Sequence, residues 1–147
     1  MELAIGVGLF VILVLGFYAG KLLFQLKAQK ERQNKARQTR IDNITESIRT
    51  ISLAMEQQQC NLSEGVIRIC NLLDAMPITP QPDYVAEYPS IHELYGKIQQ
   101  FDTHEARNLL PKIERRKQDT EREQLESEFE TLVLTEVGLL KSLVVNL

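Results

Sequence analysis

The chain has 147 residues, 44% hydrophobic and 25% charged, with a formal net charge of −3 and two cysteines. The charge is divided: residues 1–40 are net +5 and residues 41–147 net −8. The acidic part speaks against a nucleic-acid partner, whose affinity would come from basic contacts with phosphate, and the 107 residues from Ile41 suffice for one small domain but not comfortably for two.

The first element is an apolar helix. Leu3 to Gly20 is an unbroken run of 18 apolar or small residues with one Tyr near its inner end. At about 1.5 Å per residue it spans roughly 27 Å, close to a hydrocarbon core of about 30 Å. Leu22, Leu23, Phe24 and Leu26 extend the apolar surface while Lys21 can snorkel to the headgroups. A cleaved signal peptide is the alternative, but it wants its basic residues before the apolar run, and here they follow it. The basic cluster Lys21, Lys27, Lys30, Arg32, Lys35, Arg37 and Arg40 lies within the reach of the positive-inside bias. Residues 1–26 are therefore expected to be a single-pass membrane anchor, with the N-terminus outside and the rest cytoplasmic.

Residues 27–40, KAQKERQNKARQTR, are good helix formers without an apolar stripe and read as a basic helical neck. No Pro or Gly interrupts the stretch from Lys21 to Gln59, so anchor and domain are expected to share one long helix. At Ile41 the pattern changes. Ile41, Ile44, Ile48, Ile51 and Met55 follow spacings of 3, 4, 3 and 4, a coiled-coil-like seam that must bury against another helix. Residues 41–147 are thus expected to form an acidic helical bundle, giving an all-α protein.

Cys60-Asn61-Leu62-Ser63 reads as a turn, with Asn61 or Ser63 able to cap the next helix. Leu62, Val66, Ile69, Leu73 and Met76 form that helix's apolar face, Leu72 widens it, and Pro77 ends it. Residues 77–90, with four of the five prolines, form a loop. Ser90 to Glu93 fits a capping box for a helix carrying Ile91, Leu94, Tyr95 and Ile98 inward, and Asp102 to Glu105 fits another. The last helix is expected from about Pro111 to Val145. Its first half is almost wholly charged; in its second half Leu125, Phe129, Leu132, Leu139 and Leu143 share a face interrupted by Glu136, with Val133, Val137, Leu140 and Val144 alongside.

No sequence pattern for catalysis is visible: no Gly-rich phosphate loop, no HExxH, no GxSxG and no kinase set. The two histidines, His92 and His104, each precede a Glu inside an expected capping box and read as structural. Cys60 and Cys70 are ten apart, neither a CxxC nor a zinc spacing, and read as reduced core thiols. No catalytic residue, metal or cofactor is expected. Three interaction features stand out instead. Gly16 and Gly20 form a GxxxG through which two membrane helices could pack, making a homodimer one candidate assembly. The seven-residue basic collar faces the membrane surface. Tyr84 and Tyr88, four apart in the Pro-rich loop, are candidates for docking a protein partner, or else cover one end of the bundle.

Residues Ile41 to Pro77, above all LSEGVIRICNLLDAMP, resemble a gamma-proteobacterial family of single-pass inner-membrane proteins classed as a domain of unknown function. The resemblance implies a membrane address and no active site. The anchored long helix also resembles the peripheral-stalk b subunit of ATP synthases, but that subunit continues as one extended helix, whereas this chain turns near Asn61 and again through Pro77–Pro89. The function expected is a non-catalytic, membrane-anchored scaffold or adaptor that presents a helical domain to a protein partner. The alternative is a membrane-tethered regulator or sensor signalling through the neck.

Overall fold

The structure, a computed structural model, describes residues 1–101 and 110–143. It is all-helical, with five helices among the described residues: α1 (Glu2–Glu56), α2 (Leu62–Asp74), α3 (Tyr84–Glu87), α4 (Pro89–Ile98) and α5 (Lys112–Leu140). The second expected capping box, Asp102 to Glu105, lies outside the described residues together with His104 and Val144. The chain divides into two compact units, residues 1–39 and 40–147.

In the first unit, α1 follows its sequence without a break. Its apolar side chains point outward on every side, with Phe17 79% and Phe24 74% exposed. By length and composition α1 contains a segment able to cross a membrane. The same helix continues through the polar residues 27–39.

In the second unit the end of α1 becomes one-sided. Ile41, Ile44, Ile48 and Met55 are buried, and Ile51 packs against the core from its edge. The helix closes in a Schellman turn: the Gln58 N–H donates to the Met55 carbonyl (3.1 Å) and the Gln59 N–H to that of Ala54 (2.8 Å). Gln58 holds the left-handed conformation this turn needs, at φ 55°, a place where Gly is the usual choice. Asn61 stands at the N-cap of α2 but makes no side-chain cap bond, and the Ser63 hydroxyl donates instead to the Glu126 carboxylate on α5. The turn is where the sequence puts it; its capping chemistry is different.

Gly65 matters for a reason beyond helix propensity. A Cβ there would overlap the buried Met55 side chain, lying 2.6 Å from its Cγ. The missing side chain is what lets α1 and α2 close on each other. Val66, Ile69, Cys70 and Leu73 of α2 fill the core beneath this contact.

The Pro-rich stretch is not all loop. Asp83 caps the short α3 by accepting from the Ala86 N–H (3.1 Å), and Pro89 opens α4 at a position where its missing N–H costs nothing. Ile91, Leu94 and Ile98 then point inward. The expected Ser90–Glu93 capping box does not form, because Ser90 already lies inside α4; Glu93 pairs with Lys97 at 3.1 Å.

The buried seam of α5 is Phe129, Val133, Val137 and Leu140, spaced 4, 4 and 3. It is rotated from the expected face: Leu132 and Leu139 are 56% and 59% exposed, while Leu125, Leu134 and Leu143 flank the core. Two apolar stripes lie side by side on this helix, and packing against α2 and α4 selects one. At its end, Arg49 Nε of α1 donates to the Lys141 carbonyl (3.2 Å), a cation on a helix C-terminus, and Lys141 Nζ meets Glu56 at 2.7 Å.

Gly65→Ala should destabilise the protein by about 1–2 kcal/mol, overpacking outweighing the helix-propensity gain. In a Met55→Ala background the same change should be neutral or stabilising. Urea melts of the full chain in detergent, followed by circular dichroism, check both; equal losses in the two backgrounds would rule out the Met55 overlap.

Candidate functional site

The most specific polar arrangement in the bundle joins α5 to the start of α4. Glu136, half-buried, directs both carboxylate oxygens at the first turn of α4, accepting from the Ser90 N–H (2.9 Å) and the Ile91 N–H (2.9 Å). The first N–H groups of a helix have no partner within it, and a carboxylate there also meets the favourable end of the helix dipole. A residue 46 positions away thus supplies the cap that the local sequence was expected to provide. The sequence does carry one signal of it: an acidic residue set into the apolar half of α5.

Tyr84 and Tyr88 sit beside this cap. They are only 5% and 7% exposed and belong to the core. Their rings cover part of the bundle, and the exposed apolar side chain of α3 is Val85, at 61%. Burial, then the charges of Glu87 and Glu136, pushes the Tyr88 phenol above its usual range; burial, then Glu87 and Tyr88, does the same to Tyr84. The His92 ring lies with Nδ1 2.9 Å from the Tyr88 carbonyl, one turn back. These groups brace a joint and do not converge on a common point.

Cys70 is buried and Cys60 half-buried, both as free thiols. Burial, reinforced by Asp74, pushes the Cys70 thiol up to about 12, so it stays protonated and a poor nucleophile at neutral pH. Burial and Glu64 raise Cys60 as well, against a smaller opposing effect of Arg68. Among the described residues no group of three or more His, Cys, Asp or Glu side chains is placed to hold a metal ion.

Two clefts indent the bundle. One, of about 630 Å³, lies between α2, α4 and α5 and is lined by Ile67, Tyr95, Ile98 and Phe101 with Arg68 and Arg122. Both guanidinium groups already face carboxylates: Arg68 bonds Glu64, and Arg122 lies 3.9 Å from Asp119 and 3.8 Å from Glu126. The other, of about 390 Å³, is bordered by Cys60, Glu123, Glu126 and Glu130.

In the first unit, Gly16 and Gly20 lie on one side of α1, and a Cβ at either would meet nothing within 4 Å. Of the collar, Lys21, Lys27, Lys30, Arg32 and Lys35 are fully exposed and Arg37 is half-buried, while Arg40 opens the second unit.

Residues 12–140 match the model of a family described as "Protein of unknown function (DUF2489)". The chain belongs to the DUF2489 family. A relative in sequence, an uncharacterized protein of Haemophilus influenzae, is 40% identical over 134 residues, covering 91% of this chain and 88% of the relative. No solved structure matches this DUF2489 chain. The family match begins inside the apolar segment and runs to the end of α5, so anchor segment, neck and bundle fall within one family unit.

Glu136→Ala should cost about 1–3 kcal/mol, since it leaves two partly buried N–H groups without a partner. Glu93→Ala, which removes only an exposed ion pair, should change stability by less than about 0.5 kcal/mol. Denaturant melts of the two variants separate the remote cap from a local one, and hydrogen exchange at Ser90 and Ile91 should accelerate only in Glu136→Ala. Alkylation at pH 8 should modify Cys60 first and Cys70 only on unfolding, read by intact mass; rapid double modification of the folded chain would contradict the burial of Cys70.

Proposed function

We propose that this DUF2489 protein is a non-catalytic, membrane-anchored scaffold or adaptor. Its α1 helix is held in the bacterial inner membrane with the N-terminus outside, and its acidic helical bundle is presented to a protein partner in the cytoplasm. The observation that carries the anchor is the exposure of the apolar side chains from Val7 to Leu26 of α1. Apolar surface that continuous is unfavourable in water and matched to a bilayer. The order of the segments, apolar run first and Lys/Arg after, supports the orientation.

For the partner-facing surface, the support moves from the tyrosines to α5. Leu132 and Leu139 are two turns apart on the same side of that helix and both stand in solvent. A regulator or sensor is the second reading. It is favoured by the continuity of α1, which carries the apolar segment, the neck and the Ile41–Met55 seam in one helix.

A C-terminal alkaline phosphatase fusion of the full chain should be inactive and a green-fluorescent fusion bright; the reverse would place the bundle on the other side. Photocrosslinkers at Leu132 or Leu139 should yield a discrete adduct in living cells, and one at buried Tyr84 should not. Failure of both leucine positions to crosslink any protein would remove the adaptor function while leaving the anchor in place.

A further inference from the structure

We propose that the exposed basic turns of α1 just past the apolar segment, centred on Lys27, Lys30 and Arg32, are a binding surface for anionic phospholipid headgroups. The assignment rests on the membrane anchor proposed above and adds a ligand to it.

A contrast within the molecule supports it. In the bundle, several cations meet carboxylates of the bundle itself: Arg49 with Glu46, Arg68 with Glu64, Lys97 with Glu93, and Lys141 with Glu56. Lys21, Lys27, Lys30, Arg32 and Lys35 are all exposed, and none forms an ion pair among the described residues. Residues 21–40 hold seven Lys or Arg against the single acidic Glu31. The five exposed cations Lys21, Lys27, Lys30, Arg32 and Lys35, without a carboxylate partner among the described residues, are available to an anion from outside the chain.

Position and geometry select the anion. Leu22, Leu23, Phe24 and Leu26 are exposed on the same turns, so the first cations stand where apolar surface gives way to polar, the level of the headgroups. At about 100° per residue, Lys21, Lys27, Lys30, Arg32 and Lys35 are distributed around the helix. A helix lying in the membrane surface needs an apolar face opposite its charges, and residues 27–40 have none. The arrangement fits a helix leaving the bilayer through a ring of headgroups. Screening acts over a Debye length of about 8 Å at physiological salt, so influence falls along α1: Lys27 and Lys30 act strongly, while Lys35 and Arg37, roughly a turn or more beyond, act weakly.

The test uses the full chain in nanodiscs of phosphatidylcholine with a minority of phosphatidylglycerol, counting the lipids that leave the disc with the protein by native mass spectrometry. Phosphatidylglycerol should be enriched around the wild-type chain, and high salt should abolish the enrichment. Lys27→Gln/Lys30→Gln should lower it by about fivefold or more, whereas Lys35→Gln/Arg37→Gln, an equal change in charge, should have little effect. Equal retention of the two lipids by the wild-type chain would overturn the proposal. So would equal losses from the two variants, which would indicate a depth-independent polyanion site such as one for nucleic acid. An alkaline wash of native membranes separates the underlying reading: a chain released from the membrane fails the anchor, and a chain that stays but ignores phosphatidylglycerol fails only the lipid site.

Discussion

A helix has to match its side chains to whatever surrounds it, and α1 is written for three different surroundings along one length. Its first turns are apolar on all sides, its middle turns polar on all sides, and its last turns apolar along a single seam. The first suits apolar surroundings such as hydrocarbon, the second polar surroundings, and the third other helices. The rest of the protein answers that last requirement, because α2, α4 and α5 supply the surface on which Ile41, Ile48 and Met55 are buried.

Within the bundle, two polar or packing details set how those surfaces meet. Gly65 gives up a side chain so that Met55 can lie against α2, and Glu136 gives up solvation to hold the first turn of α4. Both contacts are small in area, yet both fix relative position, as apolar burial alone does not. The apolar core would tolerate sliding; a carboxylate bonded to two particular N–H groups would not. This explains why an acidic residue lies in the apolar half of α5.

The distribution of charge has a functional meaning of the same kind. Several bundle cations meet nearby carboxylates, and these ion pairs, mostly exposed, add little stability. Lys21, Lys27, Lys30, Arg32 and Lys35 of α1 are exposed and form no ion pair among the described residues, and the proposed headgroup surface is built on them. The scaffold proposed above would need a matched boundary with the membrane and an exposed apolar contact, such as Leu132 and Leu139.

The sequence by itself determined what periodicity and composition can carry. The apolar segment, the change of pattern at Ile41, the inward residues of α2 and α4 and the turn before Leu62 all follow from local spacing and helix-breaking residues. Family kinship was legible too, in the helix pattern from Ile41 to Pro77. Three things were decided only by tertiary structure. Glu136 rather than Glu93 serves α4, since a cap can come from any chain segment that packing brings within reach. Val133 and Val137 rather than Leu132 and Leu139 face inward, since two apolar stripes on one helix are equivalent until a neighbour chooses between them. Tyr84 and Tyr88 are core residues, since a proline-rich stretch long enough to be a loop also folds into the short α3 and packs back on the bundle. Local pattern fixes which residues form a helix; only the neighbours fix which way it turns.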